Sequence, residues 1–180
     1  FQSQKVKAET KWVSVEGMPF SHAYRVEFDT RPSNAANVRI NLSIEKQIQK
    51  GDVVLMSFWM RRPESNARKN NAYFFFDSNP NSPGYRYKLS AFKPWQQHVR
   101  SFVAPKDFSS SQSGVRIHLG EAGEIAEIAD LKLINYGPDF DIASLPRSTV
   151  MYRGREKDAQ WRKEALARIE HIRKADLAVH

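Results

Sequence analysis

The chain has no cysteine, which excludes disulfides, thiolate metal sites and cysteine nucleophiles and leaves the redox compartment open. Long apolar runs are missing as well, since no stretch nears the about eighteen residues that a membrane helix needs. Catalytic spacings are equally scarce. The five histidines, His22, His98, His118, His171 and His180, fall in no metal-ligand pattern such as an i, i+4 pair flanking a glutamate. No glycine-rich phosphate loop follows a strand, and there is no Gly-x-Ser-x-Gly elbow. Glu124 and Glu127 flank a strand entry. Glycosidase acids, however, need a defined separation across a cleft, and such pairs are commoner as solvated or metal-holding groups. The expectation is a chain without an active site of its own.

What is present suffices for one sizeable core and an appendage: 180 residues, 41 % hydrophobic and 27 % charged. The net charge of +8 is diffuse. Residues 153 to 180 hold eight Lys or Arg against five Asp or Glu, and the rest of the excess is spread over the other 152 residues. Arg61-Arg62, Arg68-Lys69, Arg153-Gly-Arg155 and Arg173-Lys174 are pairs, where a phosphate-tracking surface would show a dense cluster. A solvated surface is the first reading; an acidic polysaccharide is a second, and nucleic acid is the disfavoured partner.

Short alternating segments dominate residues 20 to 136. Tyr24 to Phe28, Val38 to Ile44 and Val115 to Leu119 have the period of two that half-buried strands show. Val53 to Met60 and Ala72 to Phe76 are denser, as central strands are, and Trp95 to Val103 and Ile128 to Tyr136 complete the set. Turn chemistry separates them at Arg31-Pro-Ser-Asn34, Lys50-Gly-Asp52, Arg62-Pro63, Asn79 to Gly84, Ser109 to Gly114 and Gly120 to Gly123. Seven or more such strands predict an all-β antiparallel sandwich or barrel.

Parity then sorts inside from outside. Val54, Met56, Phe58 and Met60 form a uniformly apolar set, so Trp59 and Arg61 face outward. A tryptophan beside an arginine on a sheet face can stack a sugar ring while the guanidinium bonds its hydroxyls. The alternative is an indole covered by a neighbouring loop or by the C-terminal helix. The same test turns Arg116 and His118 outward, with Arg39, Asn41, Arg25 and Glu27, a polar face that is either a hydrophilic ligand surface or merely solvated. In Ala72 to Phe76 both faces are aromatic, and Tyr73, with a hydroxyl to hydrate, is the better outward candidate. Tyr85 and Tyr87 follow a Pro- and Gly-rich turn and are either aromatics at a cleft edge or a plain strand edge.

After Tyr136 the chain reads as a linker or strap, and then as an amphipathic helix. Trp161, Ala165, Ile169 and Ile172 recur at three- and four-residue spacing, with Arg, Lys and Glu opposite. The chain opens Phe-Gln-Ser without a methionine or a leader, and Leu177 to His180 reads as the start of another strand. The expectation is a module from a longer protein, with residues 10–137 as the sandwich, 138–157 as a linker and 158–180 as a connector helix to a further domain.

Gly51-Asp-Val-Val-Leu-Met-Ser-Phe-Trp-Met-Arg61, Trp95 before a strand and Glu127-Ile-Ala-Asp-Leu-Lys-Leu-Ile-Asn-Tyr-Gly137 resemble the carbohydrate-binding modules of the family 4, 9, 16 and 22 group. Tyr152 to Lys163 and Arg168 to Leu177 resemble the connector ahead of family 10 glycoside hydrolase domains, typically xylanases. The resemblance implies a jelly-roll β-sandwich of two antiparallel sheets that is not itself an enzyme. It would grip a plant cell-wall polysaccharide such as xylan or a related β-glycan, in a secreted, extracellular, periplasmic or cell-surface setting. It would also hold a covalently attached hydrolase near its substrate by raising effective concentration. Carried over by position, the resemblance assigns ligand contacts to Trp59, Arg31 and Glu127; Arg61, Tyr73, Tyr85, Tyr87, Arg116 and His118 come from the face argument. Asn34-Ala-Ala-Asn37 stands where relatives often carry an aromatic ring. No cofactor is required. Asp130 is the one candidate ligand for the structural calcium of this group, whose usual acidic opening is not evident in Phe1 to Lys11.

Overall fold

The alternation is realised as nine strands in a computed structural model that describes residues 7–28, 38–63, 71–77, 84–110, 113–119, 125–148 and 160–173. The strands are β1 (Ala8–Ser14), β2 (His22–Phe28), β3 (Arg39–Ser43), β4 (Val53–Arg61), β5 (Asn71–Asp77), β6 (Tyr85–Ser90), β7 (Gln96–Val103), β8 (Gly114–His118) and β9 (Ile125–Asn135). They form a five-stranded sheet in the order β1-β2-β9-β4-β7 and a four-stranded sheet in the order β3-β8-β5-β6, all pairings being antiparallel. The two inner faces close on one core, giving a jelly-roll β-sandwich.

Parity places that core as expected. Val54, Met56, Phe58 and Met60 are wholly buried. Phe58 stacks on Phe74 of the opposite sheet at 5.9 Å, and Phe76 meets Phe102 at 5.5 Å. Arg62, also without exposed surface, donates from Nη2 to the Leu119 carbonyl at 2.6 Å and so ties the end of β4 to the end of β8. Burial pulls this guanidinium down to about 10.

One strand was not expected, and a second only as the alternative reading of Tyr85 and Tyr87. In β1, Ala-Glu-Thr-Lys-Trp-Val-Ser is polar and exposed along most of its length, as an edge strand can be, and so carries no clean period. In β6, Tyr-Arg-Tyr-Lys-Leu-Ser does alternate, and the period was there to be read as a strand.

β9 departs from simple parity. Its register against β4 shifts between Ser57 and Trp59, where Ser57 faces Lys132 but Trp59 faces Ala129. One extra residue is therefore accommodated in β9, with Asp130 in the left-handed region at φ 50°, which aspartate tolerates better than most. Before the bulge, Glu127 and Ala129 face away from the core. Beyond it the sides exchange, and Leu131 and Leu133 pack inward.

Close approach fixes one glycine. Gly114 pairs with Ser43, and a Cβ there would enter the van der Waals shell of the Leu42 carbonyl oxygen, which is backbone and cannot swing aside. Gly114→Ala is expected to loosen the β3–β8 pairing and cost roughly 2–3 kcal/mol in urea unfolding; a loss under about 0.5 kcal/mol would show that β3 shifts freely.

His98 supplies a pH dependence. It is 4 % exposed, stacks on Phe58 at 5.1 Å, and its Nε2 has no hydrogen-bond partner among the described residues. Burial first, then the positive charge of Arg100, push the imidazole from 6.5 down to about 4. The folded state thus resists protonation that the unfolded chain accepts, so this contribution is complete above pH 6.5 and is lost as pH falls toward 4. His98→Phe is expected to remove roughly 2–3 kcal/mol of the stability difference between about pH 7 and pH 4.5. Parallel curves for the variant and the parent would contradict this.

The chain separates into two compact units, Phe1–Ser148 and Thr149–His180. The first extends past Tyr136. A short 3-10 helix at Ile142–Ser144 and the buried Leu145 cover Val53, Leu55 and Val99 on the outer face of the five-stranded sheet. Ser148 pins this strap to β7, its N–H donating to the Val99 carbonyl at 3.0 Å while Val99 N–H donates to its Oγ at 2.5 Å. The second unit contains α1 (Gln160–Arg173), in which Gln160 Nε2 donates to Glu164 Oε1 one turn on at 3.2 Å.

Candidate functional site

The strap covers one end of the outer face of the five-stranded sheet, and the other end carries polar and aromatic groups. Register builds a row across four strands there: Lys11 faces Arg25, Arg25 faces Glu127 and Glu127 faces Arg61. Glu127 is wholly buried. Its Oε1 accepts from Arg25 Nε at 2.7 Å and also from the Nη2 of the same arginine, and its Oε2 accepts from Arg61 Nε at 2.5 Å. Glu27 bridges the row, 3.0 Å from Lys11 Nζ and 3.4 Å from Arg25 Nη1. Burial alone would lower Arg25, but the hydrogen bond and charge of Glu127, helped by Glu27, raise it. The hydrogen bond from Lys11 leads the groups that hold Glu27 below its ordinary value.

The next row holds Trp59 between Ala129 and Gln97. Trp59 points away from the core and is half-buried. Phe20, on the turn between β1 and β2, leans on it at 5.9 Å and also touches Trp95 at 5.0 Å, edge to face. The Arg61 guanidinium lies 4.7 Å over the Trp95 ring. Thus Arg61 is held on one side by a carboxylate and on the other by an indole. Its forked donors are preorganised beside an aromatic plane, as recognition of a hydroxyl-rich ring requires.

The expected site residues therefore divide. Trp59, Arg61 and Glu127 come together on the five-stranded face. Arg25, Phe20 and Trp95 join them unanticipated, and the outward parity of Arg25 was the signal that could have found it. Glu127 reaches no solvent, and its oxygens are engaged by the two arginines, so its place is beneath them as their anchor. Tyr73, Arg116 and His118 lie on the outer face of the other sheet. Tyr85 and Tyr87 turn toward the core: Tyr85 stacks on Phe102 at 4.4 Å, and the Tyr87 hydroxyl accepts from Arg100 Nη2 at 2.9 Å. Burial raises both phenols. Arg31 and Glu124, like Asn34 to Asn37, lie outside the described residues.

Asp130 is 2.8 Å from Lys132 Nζ, and the described residues hold no group of three His, Asp or Glu that could coordinate a metal. The Asp130 carboxylate is thus engaged by an ammonium group on the same strand.

A separate concavity of about 890 Å³ opens between the sheets along β1 and β3, walled by Trp12, Tyr24, Ile40, Leu42 and Leu131. Trp12, 69 % exposed, meets Tyr24 edge to face at 5.3 Å. The groove is mainly apolar, and of the expected site residues only Asp130 touches it.

No protein-family model matches the chain, and no curated protein does. Solved structures do. A family 4 carbohydrate-binding module (CBM4) is similar over 71 % of this chain and 77 % of its own, at 11 % identity and a TM-score of 0.54. The N-terminal cellulose-binding domain of Cellulomonas fimi β-1,4-glucanase C is similar over 63 % of this chain and 78 % of its own, at 12 % identity and a TM-score of 0.50. An arabinose-bound GH51 α-L-arabinofuranosidase shares 73 % of this chain but only 23 % of its own, at 11 % identity and a TM-score of 0.54. At these identities the likeness establishes the fold: the chain has the jelly-roll sandwich found in carbohydrate-binding modules.

Proposed function

We propose that the sandwich is a non-catalytic carbohydrate-binding module whose ligand is a plant cell-wall β-glycan such as xylan. In the full-length protein it would tether an attached glycoside hydrolase, an endo-xylanase of family 10, to that polymer outside the cell or at its surface. The observation that carries this reading is the outer-face cluster in which Trp59 stands beside two arginines fixed by one buried carboxylate. An indole plane takes the apolar face of a pyranose, and Arg25 and Arg61 turn their remaining N–H groups to its hydroxyls. Tethering then needs only modest affinity, because attachment multiplies the local concentration of the enzyme.

A second reading has its own observation: Phe20 leans on Trp59 and the indole is half-buried, as in a structural module that binds no sugar. Affinity electrophoresis in xylan and in β-glucan separates the two. Retardation that Trp59→Ala abolishes supports glycan binding; mobility unchanged in every polymer supports the structural role.

A further inference from the structure

Two adjacent rows on the opposite face of the sandwich carry charge of one sign. In the four-stranded sheet, register aligns Arg39, His118, Tyr73 and Lys88 in one row and Asn41, Arg116, Phe75 and Arg86 in the next. These eight residues alternate with the buried Ile117, Phe74 and Leu89 and point outward. They include three arginines, a lysine and a histidine, and no carboxylate. With strands about 4.8 Å apart the rows form a platform about 14 Å wide.

The aromatic pair at its centre is already engaged. The Arg86 guanidinium lies 5.3 Å over Tyr73 and 5.5 Å over Phe75, Lys88 Nζ lies 5.9 Å over Tyr73, and the His118 ring is 4.5 Å from Phe75. Rings so occupied hold cations in place. What the platform offers outward is a fixed array of guanidinium and ammonium donors, and arginine forks match planar carboxylates bidentately. We infer that this face is a second binding surface, for the carboxylates of an acidic, uronate-bearing polysaccharide. It goes beyond the Trp59 face and does not depend on it.

Titration of the full chain with a short oligogalacturonate tests this. Arg86→Gln with Lys88→Gln, both exposed positions, is expected to weaken association roughly tenfold or more, while retention on neutral xylan stays as in the parent. Lys46→Gln with Lys50→Gln, which removes the same charge elsewhere, is expected to leave binding unchanged. Absence of oligogalacturonate binding overturns the inference, as does an equal loss in the control pair, which would reduce the effect to net charge. Tighter binding of an oligothymidylate than of the oligogalacturonate also overturns it, in favour of nucleic acid. Any of these results with xylan retention intact leaves the Trp59 face standing, whereas lost xylan retention with oligogalacturonate binding preserved counts against that face alone.

Discussion

Glu127→Ala is expected to destabilise the sandwich by about 3 kcal/mol, a cost characteristic of removing one partner from a buried ion pair. Both carboxylate oxygens are committed, to Arg25 and to Arg61, and the carboxylate itself has no contact with water. Its removal leaves two guanidinium groups confronting one another across β9. The arginine side chains keep 26 % and 29 % of their surface exposed, so solvent relieves part of the repulsion and the effect lies at the low end of the range for buried pairs. Urea unfolding followed by tryptophan fluorescence reads the loss, and a change below about 1 kcal/mol would mean that the network contributes little. Replacing Arg25, Arg61 and Glu127 together by methionine or leucine is expected to recover most of the loss, because no uncompensated charge remains. Stability would then return without glycan binding, which separates the structural from the recognition role of the row.

Trp59→Ala is expected to weaken glycan association by roughly thirtyfold, the approximately 2 kcal/mol that a central aromatic contact carries in an interface. Trp59→Phe keeps a smaller plane and is expected to fall between. Because Phe20 rests on the indole at 5.9 Å, the alanine variant also loses packing. Near-native far-UV circular dichroism and a single unfolding transition are needed to show that affinity, and not folding, has changed. A variant that folds and still binds as the parent does would remove Trp59 from the site.

What the sequence displayed was local. The period of two in β4 placed Val54, Met56, Phe58 and Met60 inside and turned Trp59 outward, because side chains on a strand must alternate. Turn residues delimited most strands for the same reason, that their conformational demands are met within a few residues. What it concealed was register and long-range approach. That Glu127 lies between Arg25 and Arg61 depends on β9 entering the sheet between β2 and β4, and no spacing along the chain encodes that insertion. The Asp130 bulge exchanges the faces of β9 midway, so a single parity cannot describe the strand. Phe20 reaches Trp59 from a turn, Trp95 reaches Phe20 and Arg61 from a segment ahead of β7, and only tertiary folding joins them. Tyr85 and Tyr87 show the opposite failure: their alternation with Arg86 and Lys88 was visible, but which side faced the core depended on pairing with Phe76 and Phe74.

The most direct measurement is the response of the four indole N–H resonances to xylohexaose in a nitrogen-15 NMR titration, with Trp59 identified by the signal lost in Trp59→Phe. The Trp59 resonance is expected to move saturably, accompanied by that of Trp95, which shares Phe20 with it, while those of Trp12 and Trp161 stay in place. Movement of Trp12 alone would put the ligand in the groove between the sheets, and no movement of any indole would contradict glycan recognition on the outer face.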